Sequence, residues 1–253
     1  MENNIFYSFL LTSIAGLSTL IGSILIFFNH KKSNKIVIAS LAFAAAVMIT
    51  VSFTDLIPES ITLLKKIYPS FPSYIILFIF VNIGIIVSFL IDKYLPEESS
   101  KDKGSLYKVG IISMLAIILH NIPEGMATFM ASNKDMSLGI ALTIAIALHN
   151  IPEGISISVP IYFSTRSKLK AILYTFISGL SELFGAIITY LFLRPYINDR
   201  VMGILFATIA GIMLHISIYE LLPTSLKYNK KRITIAFFII GLLFMLVNHI
   251  LFL

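Results

Sequence analysis

The hexapeptide His-Asn-Ile-Pro-Glu-Gly stands twice in this chain, at His120 to Gly125 and at His149 to Gly154, each time inside a long apolar run. Imidazole, carboxamide and carboxylate all ligate divalent metal ions. Inside a bilayer such groups are costly unless they face a partner or a watery path. With about 100° between successive helical residues, Glu124 falls between His120 and Asn121 on one face, and Glu153 between His149 and Asn150. If the two helices face each other, two adjacent ion positions follow. His120, Glu124, His149 and Glu153 suit a borderline ion such as zinc; Asn121, Glu124, Asn150 and Glu153 offer more oxygen, for ferrous iron or manganese. Pro123 and Pro152 lack the N–H that bonds four residues back, which predicts a bend beside the ligands, as in the interrupted helices of secondary transporters. The plain alternative is that these polar groups only bond one another across a packed bundle.

Further acids extend the path. Glu182 is flanked by Ser178, Gly179 and Gly185 on its own helical face, small neighbours that allow close helix approach and bring it to the hexapeptides as another oxygen ligand, the alternative being a structural, hydrogen-bonding carboxylic acid. Thr54-Asp55-Leu56-Ile57-Pro58-Glu59 and Tyr219-Glu220-Leu221-Leu222-Pro223 share an acid and a proline three apart. Asp55 and Glu59 fall near the external end of the second helix and Glu220 near the cytoplasmic end of the seventh, where they attract or release cations or are simply solvated. His215 is either a transient ligand or a hydrogen-bonded packing residue. His30, in a basic loop, and His249, in the last turn of the final helix, are accounted for by interfacial positions.

The chain that must position these groups has 253 residues, 57% of them hydrophobic and 13% charged, with a mean hydropathy of +0.92. That composition belongs to an integral membrane protein. Eight segments reach the roughly 20 apolar residues a spanning helix requires: about 5 to 28, 36 to 64, 74 to 91, 107 to 132, 137 to 163, 168 to 193, 201 to 225 and 231 to 253. The expected fold is an all-α membrane protein, a single transmembrane domain over residues 1–253 with a flexible cytoplasmic loop at about 92–106. The first segment reads as a retained helix, because no basic stretch precedes it. Fourteen of the nineteen basic residues fall in alternate loops, which places those loops in the cytoplasm and both termini outside. The net charge of +6 is therefore mostly this bias and implies no nucleic-acid partner. Cysteine is absent, so thiolate sites and disulfides are excluded. The two acid–proline stretches lie on oppositely directed helices, which suggests an inverted repeat of helices 1–3 and 6–8 around the central pair.

Taken together, the paired hexapeptides, the Ser-Gly-Leu-Ser-Glu stretch ending at Glu182, the eight spans and the outward termini resemble the ZIP family of metal transporters, in its bacterial ZupT branch. The resemblance implies that Glu124, His149 and Glu153 hold zinc with His120 as fourth ligand, and that Asn121, Glu124, Asn150, Glu153 and Glu182 form an iron-capable neighbour. It further implies uptake through the cell membrane into the cytoplasm, with zinc as the main substrate and Fe2+, Mn2+, Co2+ and Cd2+ as further ones. No prosthetic group is expected, the lipid bilayer is the standing partner, and a homodimer is the candidate assembly. The third cytoplasmic loop is not rich in histidine, unlike that of many eukaryotic members. The competing class is an intramembrane metal-dependent hydrolase, since the same ligands can activate water. No His-Glu-x-x-His sequence is present, so the chain is expected not to be an enzyme, and no Walker A sequence points to ATP.

Overall fold

The computed structural model describes residues 2–27, 34–94, 103–193 and 198–252, and among them there is helix and no strand. Eight helices are long and apolar enough to span a bilayer: α1 (Ile5–Phe27), α2 (Asn34–Lys65), α3 (Ser70–Tyr94), α4 (Leu106–Asn133), α5 (Gly139–Thr165), α6 (Lys168–Phe192), α7 (Asp199–Leu226) and α8 (Lys231–Leu251). They correspond one to one with the eight segments expected from the sequence. Most of the expected flexible loop, residues 95–102, lies outside the described residues, as do His30, Lys31, Lys32 and Arg194.

Lipid offers no hydrogen bonds, so polar side chains must be satisfied within the protein. Many hydroxyls turn back on their own helix. Thr50 donates to the Ala46 carbonyl, Thr128 to that of Glu124, Thr175 to that of Ala171 and Ser217 to that of Met213, at 2.7–2.9 Å. α4 and α5 remain helical through Pro123 and Pro152, so the prolines do not interrupt them. In α2 and α7 the proline has a clearer local effect. A wider π-helical turn covers Ser52–Leu56 just before Pro58 and another covers Ile216–Leu221 just before Pro223, the extra residue re-pairing backbone groups that proline disrupts. Asp55 and Glu220 each sit in one of these turns.

The helices sort into two groups of four. α1, α4, α5 and α6 pack on one another around the hexapeptides; α2, α3, α7 and α8 form the second group, and the groups meet chiefly where α2 lies on α5. α2 and α7 are the inner members of their group, each 72% buried along its apolar stretch, whereas α3 and α8 are 11% and 22% buried and present their sides outward. Exchanging α1 with α6, α2 with α7, α3 with α8 and α4 with α5 maps the main pairings onto one another: α4 on α6 becomes α5 on α1, and α3 on α7 becomes α8 on α2. This is the inverted repeat expected from the two acid–proline stretches. At one end of the bundle Lys168 lies 4.6 Å from the Phe27 ring centre and Lys108 pairs with Asp92 at 2.8 Å. At the other, Lys66 pairs with Asp199 at 3.5 Å and Lys65 bonds the Tyr74 hydroxyl at 3.0 Å.

Candidate metal centre

Each hexapeptide ends in glycine because another backbone occupies the place of a side chain. A Cβ at Gly125 would meet the Glu182 carbonyl of α6, and one at Gly185 would meet the Ile122 carbonyl of α4. The same reciprocal contact joins α5 to α1, where Gly154 abuts the Thr19 carbonyl and Gly22 the Ile151 carbonyl. Gly16 and Gly179 close the α1–α6 crossing against each other. Three glycine-to-backbone crossings thus fix four helices around one polar spot.

At that spot Glu124 lies between the two imidazoles. Its Oε1 is 2.9 Å from His149 Nε2 and its Oε2 is 3.3 Å from His120 Nε2. His120 Nε2 also lies 3.6 Å from Glu153 Oε1. Among the described residues His120, Glu124 and His149 bring ligand atoms within 4.8 Å of one another. Glu153, the fourth residue expected, is outside that group and touches it only through His120. All four are buried, Glu153 completely.

The two asparagines bond to α6 and α1. Asn121 Nδ2 donates to the Ser178 carbonyl at 3.2 Å, and Asn150 Nδ2 donates both to the Ala15 carbonyl at 2.9 Å and to Glu182 Oε2 at 3.0 Å. Glu182 therefore stands at the amide end, tied to Asn150. Among the described residues both His120 ring nitrogens, Glu124 Oε2, both Glu153 oxygens, Asn121 Oδ1, Asn150 Oδ1 and Glu182 Oε1 are buried without a hydrogen-bond partner. Each such atom costs about 1–3 kcal/mol, a cost that a cation bound among these ligands would offset.

The path residues are spread more widely. Asp55 pairs with His249 Nδ1 at 2.8 Å, joining α2 to α8; His249 is thus a partner of an acid and not merely an interfacial residue. Glu59 is exposed and Glu220 half-buried. His215 is buried, 2.9 Å from the Ser88 hydroxyl and stacked on Tyr219 with ring centres 5.0 Å apart, the hydrogen-bonded packing arrangement of the two alternatives. Sequence reasoning missed α1 as a wall of the site. The signal was present: Gly16-Leu17-Ser18-Thr19-Leu20-Ile21-Gly22 and Gly179-Leu180-Ser181-Glu182-Leu183-Phe184-Gly185 agree at five of seven positions.

Comparison with known proteins bears directly on this geometry. The pattern of the family described as ZIP Zinc transporter matches residues 95–249, a stretch that includes both hexapeptides and Glu182. The chain is 42% identical to a protein of Chlorobaculum parvum named zinc transporter ZupT, with both chains covered in full. It is 42% identical to the ZupT of Clostridium perfringens, over 99% of this chain and 97% of that one, and 41% identical to that of Streptococcus mutans over the full length of both. With a family pattern across more than half its residues and relatives at this identity from end to end, the chain belongs to the ZIP zinc transporter family.

Proposed function

We propose that this multi-pass membrane protein carries divalent metal ions, zinc first among them, through a two-position site shared by α4, α5 and α6. The observation that carries the reading is the buried set of two imidazoles and three carboxylates which, with the two neighbouring amides, has eight polar atoms without a hydrogen-bond partner among the described residues. Membership of a zinc transporter family and relatives named zinc transporters agree with it; a hydrolase reading gains support from neither.

In the proposed cycle a hydrated ion is drawn in past Asp55 and Glu59 and exchanges water for His120, Glu124, His149 and Glu153. The amide end, with Asn121, Asn150 and Glu182, supplies the oxygen-rich neighbour, and Glu124 and Glu153 are shared by both. Release runs past Glu220 when the helix groups rearrange. Nitrogen and oxygen ligands suit turnover, since a thiolate cage would hold zinc tightly. Direction is inward across the cell membrane, with termini outside; a dication crossing the full field gains about 4.6 kcal/mol per 100 mV, which drives uptake without ATP. Fe2+, Mn2+, Co2+ and Cd2+ are further substrates, the domain functions as one unit, and a homodimer is the proposed assembly.

Purified protein in liposomes loaded with a zinc indicator tests this reading. Glu124→Gln and Glu153→Gln keep side-chain volume and remove charge; each is expected to abolish uptake at normal protein abundance. Wild-type flux in either variant refutes the site.

A further inference from the structure

The framework around the central pair is repeated on both sides, but its charge is not. In the seven-residue stretches of α1 and α6, Thr19 occupies the position of Glu182. The contacts agree with that alignment residue by residue. The Thr19 carbonyl abuts Gly154 as the Glu182 carbonyl abuts Gly125; the Thr19 hydroxyl lies over Gly179 as the Glu182 side chain lies over Gly16. Ala15 and Ser178, each one residue before the matching glycine, accept the equivalent bonds from Asn150 and Asn121.

The difference appears at the amides. Asn150 Nδ2 makes its second bond to the Glu182 carboxylate. Among the described residues Asn121 Nδ2 makes one bond only, to Ser178; the position matching Glu182 is held by Thr19, a shorter, uncharged side chain. Thr19 is completely buried and its hydroxyl donates to the Gly16 carbonyl at 2.5 Å. With its proton committed there, the oxygen keeps lone pairs for a cation.

We infer that Thr19 is a specificity-determining residue, the twofold counterpart of Glu182, lining the Asn121 side of the cation path with a neutral oxygen where the opposite side has a carboxylate. The inference rests on the proposed transport site. Its physical content is charge. A fourth carboxylate would bind a dication more tightly, slow its release and favour harder, oxygen-preferring ions such as Mn2+ over zinc. The hydroxyl holds the metal centre at three carboxylates, Glu124, Glu153 and Glu182, a level compatible with turnover.

The test uses the full-length protein in liposomes, with initial rates of Zn2+ and Mn2+ uptake and thermal melting of each variant. Thr19→Glu is expected to lower KM for both ions and to lower kcat, each by about tenfold, with the larger KM change for Mn2+. Thr19→Asp, a smaller insertion, is expected to act in the same direction. Glu182→Thr is expected to raise KM about tenfold. The exchange variant, Thr19→Glu with Glu182→Thr, restores the number of carboxylates across the twofold axis and is expected to return KM to within about threefold of the starting protein. A merely structural threonine predicts no such rescue. The inference is overturned if the exchange variant transports no better than Glu182→Thr, or if folded Thr19→Asp leaves KM and the Mn2+-to-Zn2+ ratio unchanged. Loss of uptake in Glu124→Gln beside either result would leave the transport site standing and remove Thr19 alone.

Discussion

Replacing Gly125 by alanine tests whether the close helix crossing is what aims the ligands. The added Cβ meets the Glu182 carbonyl oxygen, with the carbonyl carbon at 2.6 Å and Cα at 3.0 Å. Carbon atoms pack comfortably at about 3.5–4.0 Å, so α4 and α6 must part by about 1 Å at this point. Overpacking of that kind costs about 1–3 kcal/mol, which lowers the melting temperature of a chain this size by about 2–12 °C. The functional cost is larger. Glu182 is the residue being displaced, its bond to Asn150 is 3.0 Å long, and Glu124 is the neighbour of the substituted position. Misplacing reactive groups by about 1 Å costs about a hundredfold in well-ordered sites, and uptake of zinc per folded molecule is expected to fall by about that factor. Gly84→Ala supplies the control. Its Cβ meets the Thr208 carbonyl oxygen, with the carbonyl carbon at 2.9 Å and Ile212 N at 3.0 Å, the same insult at the α3–α7 crossing far from the hexapeptides. It should destabilise comparably while uptake per folded molecule stays within about threefold. Liposome flux normalised to folded protein decides the matter. Equal losses of uptake in the two variants, or wild-type uptake in Gly125→Ala, would refute the reasoning.

The mouth of the path and the amide end give two further outcomes. Asp55→Asn and His249→Ala remove the two halves of the 2.8 Å pair between α2 and α8; the first should raise KM for zinc about threefold to tenfold with the maximal rate kept, since a charge at the mouth acts on capture, the second, which frees the acid, should lower it, and unchanged KM in initial-rate curves would remove the pair from the path. Asn121→Ala and Asn150→Ala strip the amide oxygens from the oxygen-rich position. In competition uptake with zinc, ferrous iron and manganese, iron and manganese transport should fall while zinc transport persists, and parallel loss of all three metals would show that the two positions are not chemically distinct.

How far such a site is legible in sequence depends on whether its parts announce themselves locally. His120 and Glu124 did, because four residues apart they share a helical face and because ionisable groups stand out in an apolar run. The eight spans did for the same reason, as did the acid–proline pairs of α2 and α7. The wall formed by α1 did not. Gly16, Thr19 and Gly22 are ordinary residues for a membrane helix, and only the backbones they touch reveal that they mirror Gly179, Glu182 and Gly185. The Asp55–His249 pair joins residues 194 positions apart, a proximity no periodicity reports. The π-helical turns before Pro58 and Pro223 were equally hidden: proline signals a disturbed backbone, but whether the helix bends, breaks or widens is decided by what packs against it. At Pro123 and Pro152, where glycine crossings grip both flanks, it continues.

The inverted repeat also bears on how the proposed cycle obtains its direction. Because the contacts of α1 on α5 are repeated by those of α6 on α4, and those of α3 on α7 by α8 on α2, a rearrangement that opens one end has a mirror image that opens the other at a similar packing energy. Two arrangements so matched exchange readily, and neither is favoured by the framework itself. Bias must then come from elements that break the twofold relation. Three such elements are charges: Glu182 against Thr19, the Asp55–His249 pair joining α2 to α8, and the Asp92–Lys108 pair where α3 meets α4. In the proposed cycle a cation arriving at Asp55 competes with the His249 imidazole, whereas one leaving past Glu220 passes the neighbouring Asp92 carboxylate, already held by Lys108 at 2.8 Å. On the proposed reading the first pair would admit a dication and the second would discourage its rebinding, so that the symmetric scaffold would load at one end and empty at the other, with the membrane potential supplying the work.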